Sequence, residues 1–112
     1  MAKPRESIET LARPRTRRPP LYKVLFHNDD YTTRDFVVMV LEQYFHKGHT
    51  EATHIMLTVH RTGAAIAGLY PFDIAATKKQ QVEMLAREHQ YPLRLSLEPE
   101  TDDGREYGDG ET

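Results

Sequence analysis

A two-layer α+β fold with the order β-α-α-β-α-β is what this 112-residue sequence predicts. Three observations carry it. Leu93, Leu95 and Leu97 alternate with Arg94 and Ser96, and Leu21–His27 divides its side chains between two faces in the same way, which is strand spacing. Three longer segments repeat apolar residues at helical spacing. Glycine or proline punctuates most of the junctions between segments. Three strands cannot cover themselves, so the three helices are expected to pack on one three-stranded antiparallel sheet.

Residues 1–20 are expected to be a disordered arm, because Pro4, Pro14, Pro19 and Pro20 block regular structure and little there is apolar. Leu21–His27 is the first strand, with Tyr22, Val24 and Phe26 on one face. HNDDYTT ends it, and Thr32 is the expected N-cap of a helix over 33–46, with Asp35 three residues on. Phe36, Val37, Val40, Leu41, Tyr44 and Phe45 form the inner stripe of that helix, and Gly48 is its expected C-cap.

A second helix is expected over Thr50–Arg61, capped by Thr50 and ended by Gly63. Ala52, Ile55, Met56 and Val59 make its apolar face, and His60 stands at the edge of that stripe. The linker is short, so the two helices should form a hairpin. Ala64–Tyr70 is a short apolar strand bounded by Gly63 and Pro71. Asp73–His89 is the third helix, with Ile74, Val82, Leu85 and Ala86 inward and Lys78, Lys79, Glu83, Arg87 and Glu88 toward water. The last strand lies between Pro92 and Pro99. The folded domain is therefore 21–98, followed by a disordered acidic tail over 99–112.

Charge is distributed unevenly along the chain. Residues 1–20 carry six bases against two acids, residues 98–112 carry seven acids against Arg105, and the middle is neutral, within a formal net charge of −2. A neutral folded part is not that of a nucleic-acid-binding domain, so no nucleic acid is expected as partner. With no cysteine, disulfides, thiolate nucleophiles and cysteine-ligated zinc are excluded. No apolar run approaches a membrane span and no signal-peptide core is visible, so the expectation is a soluble, cytoplasmic protein with no membrane partner.

His46, His49 and His54 invite a metal reading, but they straddle a helix end and no nearby acid completes a zinc site, so no metal and no cofactor are expected. His27 with Asp29 and Asp30 suggests acid–base chemistry. The chain lacks a phosphate-cradling glycine loop, a nucleophile elbow and an HExxH helix, so no catalytic residue is assigned.

A third arrangement is a small acidic pocket. Asn28, Asp29 and Asp30 bring acceptors to the end of the first strand. The first helix can offer Arg34 and Val37, and the second Met56, Val59 and His60. If these meet, an acceptor-rich mouth stands over an apolar hole. A peptide α-ammonium, which donates three hydrogen bonds, beside an apolar side chain suits that description. His60 could accept only as the neutral imidazole.

The ordered motifs Pro19–Tyr22, NDDYT (Asn28–Thr32), FVVMVL, ATHIMLTVH (Ala52–His60), AATK (Ala75–Lys78) and YPL (Tyr91–Leu93) resemble the ClpS family, adaptors of the bacterial ATP-dependent Clp protease. The resemblance spans about Pro19 to Glu98. It implies a fold like the C-terminal domain of the ribosomal stalk protein. It also implies recognition of N-end rule substrates that begin with Leu, Phe, Tyr or Trp, and their delivery to a ClpA-type or ClpC-type AAA+ unfoldase through its N-terminal domain.

By resemblance, Asn28, Asp30 and His60 hold the α-amino group, and Asp29 and Thr32 line the entrance. Val37, Met56, Val59 and Leu93 form the side-chain pocket. Asp73 and Lys78 touch the unfoldase, the arm 1–20 is a delivery segment, and the protein acts as a monomer. Many members carry Met where Arg34 stands, after a Pro where Thr33 stands, and that Met is a gatekeeper against β-branched first residues. The alternative is a stalk-like interaction module, which has no need of NDD, Met56 or His60.

Overall fold

The computed structural model describes residues 19–101. The expected arm and tail lie almost wholly outside the described residues. Six elements follow one another: β1 (Leu21–His27), α1 (Arg34–Tyr44), α2 (His49–Thr62), β2 (Ala64–Pro71), α3 (Phe72–Glu88) and β3 (Arg94–Pro99). The fold is α+β, with three helices and one three-stranded antiparallel sheet, as the sequence predicts.

β1 is central. It pairs with β2 from Leu21↔Pro71 to His27↔Ala64, and with β3 from Tyr22↔Pro99 to His27↔Arg94, in the order β2-β1-β3. Val24 and Phe26 are fully buried beneath the helices, because the two-residue period sends them to the same face. Leu25 and Lys23, on the other face, are only half-buried. The register of β1 against β2 shifts between Val24 and Leu25, which leaves Ala67 as the extra residue of a bulge, 1% exposed. Phe26 meets Phe45 edge-on at 5.4 Å, joining β1 to the end of α1. Val40, Leu41, Ala52, Val82 and Ala86 complete the centre of the core.

The helix ends depart from the sequence expectations in ways that have local causes. Thr33, and not Thr32, caps α1: its Oγ1 accepts from the Phe36 N–H at 3.1 Å. Thr32 is unavailable, because the Asp29 carboxylate accepts both its N–H and its hydroxyl. Gly48 is the N-cap of α2 and not the C-cap of α1, and Thr50 lies inside α2. The chain leaves α1 through His46 in the left-handed region (φ 56), with the Lys47 N–H returning to the Leu41 carbonyl. Gly63, at φ 96, closes α2 as expected.

Two expectations for α3 are corrected. Ile74 is 47% exposed, and Ala75 takes the inward place. At about 100° per residue, Ala75 lies about 20° from Val82 around the helix, whereas Ile74 lies about 80° away. Lys78 and Glu83 are half-buried and do not simply face water. Lys78 Nζ donates to the Tyr44 carbonyl at 2.7 Å, a cation at the C-terminal end of α1, and stands 5.2 Å from the Tyr70 ring centroid. Glu83 accepts the Leu95 N–H at 2.8 Å, which occupies an outward-facing donor of the edge strand β3.

Candidate functional site

The turn after β1 is built by a carboxylate. Asp29 Oδ1 accepts the N–H groups of Tyr31 (2.8 Å) and Thr32 (2.7 Å), and Oδ2 accepts the Thr32 hydroxyl (2.7 Å). This is the Asx-turn chemistry that makes aspartate a turn residue. The Asn28 N–H donates to the Gly63 carbonyl at 2.9 Å, which ties the same turn to the end of α2. Gly63 is the left-handed C-cap of α2, and its own N–H returns to the Val59 carbonyl. One hydrogen bond therefore brings the NDD segment beside the last turn of α2, where His60 stands.

A hollow of about 550 Å³ lies between these segments. Its apolar wall is Val37 from α1 with Met56 and Val59 from α2. Val37 and Val59 are 7% and 4% exposed and belong to the core, so the floor is rigid, while Met56 is half-buried. Asn28, Asp29 and Asp30 from the turn after β1, Arg34 from the start of α1 and His60 from the end of α2 supply the polar lining of the hollow. Asn28, Asp30 and His60 are exposed. Arg34 Nη2 donates to His60 Nε2 at 3.0 Å, linking the first turn of α1 to the last turn of α2. The volume is within the range of small-ligand sites.

Nine of the ten residues expected at the site line this hollow: Asn28, Asp29, Asp30, Thr32, Arg34, Val37, Met56, Val59 and His60. Leu93 does not. It is 4% exposed, belongs to the core and is not among the residues that line the hollow. Tyr31, Thr33 and Asp35 also line the hollow and were not assigned from sequence. Their place in or directly after the HNDDYTT turn, within His27–Asp35, is the sequence signal that points to them, and Tyr31 is 75% exposed. Asp73 and Lys78 lie elsewhere: Asp73 is exposed in the first turn of α3, and Lys78 reaches the end of α1.

The alternative chemistries find no such assembly. His27 shares a 2.6 Å hydrogen bond with Ser96 and is not among the residues lining the hollow. His49 bonds Glu42 at 2.7 Å, and among the described residues no three His, Asp or Glu side chains are grouped to hold a metal ion.

A family model described as ATP-dependent Clp protease adaptor protein ClpS matches residues 17–96. The chain belongs to the ClpS family. A ClpS adapter protein of Myxococcus xanthus is 55% identical over 92 residues, covering 82% of this chain and 86% of that protein. One from Roseobacter denitrificans is 52% identical over 94 residues, covering 84% and 83%. The solved structure of Agrobacterium tumefaciens ClpS2 bound to L-phenylalaninamide superposes with a TM-score of 0.71 at 42% identity, covering 74% of this chain and all of that one.

A ClpS is an adaptor of an ATP-dependent protease and not an enzyme, so the acid–base reading of His27 and Asp29 is set aside. Among the described residues no helix is long and apolar enough to cross a membrane.

Proposed function

We propose that this protein is an N-end rule adaptor whose hollow captures the free N-terminus of a substrate beginning with Leu, Phe, Tyr or Trp. It hands that substrate to the N-terminal domain of a Clp AAA+ unfoldase, of the ClpA or ClpC type. The observation that carries the reading is the pairing of an apolar wall, Val37, Met56 and Val59, with an acceptor-bearing rim, Asn28, Asp30 and His60, around one hollow. L-Phenylalaninamide, the ligand of the Agrobacterium ClpS2, is a small molecule with both matching parts, an α-amine and a phenyl ring.

The division of labour follows from chemistry. Asp30 supplies the charge, Asn28 a carbonyl acceptor and neutral His60 a ring lone pair, matching the three donors of an α-ammonium. The rigid valines and the polarisable Met56 surround the first side chain. Asp29 and Thr32 shape the entrance. Asp73 and Lys78 are the proposed unfoldase contacts, and the basic arm 1–20 the proposed delivery segment. The protein works as a monomer in the cytoplasm. The test is a fluorescence titration with peptides beginning with Leu or Phe and the same peptides N-acetylated. Acetylation removes the charge and two donors, so affinity should fall at least about tenfold. Equal binding of both forms would contradict the reading.

A further inference from the structure

Arg34 and His60 both line the hollow, are 26 residues apart in sequence and are joined by a 3.0 Å contact. A guanidinium has donors only and does not deprotonate in proteins. His60 Nε2 must therefore be the accepting lone pair, which leaves the ring neutral with its proton on Nδ1. An incoming α-ammonium is also a donor only. One ring nitrogen cannot serve both, so a ligand that uses His60 has to break the Arg34 bond.

The displaced charge does not leave the site. Arg34 is the first residue of α1, one turn before Val37 in the wall, so its head stays tethered at the rim. A peptide held by its α-amine has its second Cα about 3.8 Å beyond the first. Charges at the rim act over a screening length of about 8 Å at physiological salt, so a charge on the second residue is felt by rim groups within that reach. Without Arg34, the charged side chains on the rim are the three acids Asp29, Asp30 and Asp35.

We propose that Arg34 is the specificity-determining cation of this site: it holds the His60 lone pair in the empty protein and, once displaced, disfavours a basic and favours an acidic second residue in the ligand. The inference rests on the α-amine reading of the hollow given above.

The test uses the full chain and three peptides that begin with Phe and carry Lys, Ala or Glu second, titrated by fluorescence anisotropy. The variants are Arg34→Met and Arg34→Ala. Arg34 is exposed, so neither change disturbs the core, and alanine removes both the charge and the donors without adding a long apolar side chain. Loss of the competing bond should tighten Phe-Ala binding about two- to fivefold in both variants, the lower part of the net worth of a hydrogen bond. The Kd ratio of the Lys to the Glu peptide should fall by a similar factor on either substitution. If the variants bind Phe-Ala no more tightly than wild type, or if the Lys-to-Glu ratio is unchanged, the assignment of Arg34 is overturned while the peptide site stands. If wild type binds none of the three peptides, the reading of the hollow fails first, and this inference fails with it.

Discussion

Asp29 and Asp30 are neighbours with the same charge and opposite uses. Both Asp29 oxygens are engaged by the turn they build, whereas Asp30 projects into solvent at the rim. Asp29→Ala removes three hydrogen bonds from a half-buried group and should lower unfolding stability by about 1–3 kcal/mol in a denaturant titration. Asp30→Ala should leave stability within about 0.5 kcal/mol. Its cost appears in peptide affinity, by about tenfold or more, with an unchanged circular dichroism spectrum. Equal stability losses in the two variants would contradict this division.

At this scale much of the site was legible. Asn28, Asp30 and His60 stand out by residue type and by their place at element ends, and Met56 by its place on the apolar face of α2. The Arg34–His60 contact was not legible, because it depends on how two helices lie side by side. Leu93 was assigned to the pocket by resemblance, but a leucine in an inward strand position reads the same whether it faces a hollow or the core behind it.

The ends of elements are where sequence and structure part most often. Thr32 and Thr33 are equally good caps by type, and only the Asp29 carboxylate decides between them. The end of α3 is a Schellman turn: the Tyr91 N–H returns to Ala86, the Gln90 N–H to Arg87, and Gln90 itself is left-handed at φ 63. Glycine usually holds that position, and the side chain of Gln90 makes it strained. Gln90→Gly should therefore raise stability by about 0.5–1 kcal/mol, read as a higher denaturation midpoint with an unchanged slope. A lower midpoint would show that the strain is absent. No glycine marked this helix end, so its left-handed residue was invisible in the sequence. By contrast, the interiors of β1, α1 and α2 followed from periodicity alone, because apolar side chains at strand or helix spacing have one buried face to occupy.

Across the whole molecule, the placement of β1 between β2 and β3 does the most for the site. Its end carries the NDD turn, which the Asn28–Gly63 hydrogen bond ties to the end of α2 and which runs directly into α1. The α+β class was legible from the count and kind of segments. Strand order was not, because local periodicity carries no information on which strands pair.

One titration reports on the packing between the sheet and α3. Burial pushes the Tyr70 phenol above its usual value near 10. The folded protein then holds that proton more tightly than the unfolded chain does. Stability is full below about pH 10 and declines as pH rises through the raised value. Tyr70→Phe should flatten that alkaline decline, and an unchanged pH profile would place the cause elsewhere.

The most direct test of the central claim is nitrogen-15 NMR of the full chain titrated with L-phenylalaninamide and, in parallel, with its N-acetylated form. The free amine should shift amide signals around Asn28–Asp35 and Val59–Gly63 and the ring signals of His60, while the acetylated form leaves them in place. Shifts confined to another face, or identical responses to the two compounds, would contradict it.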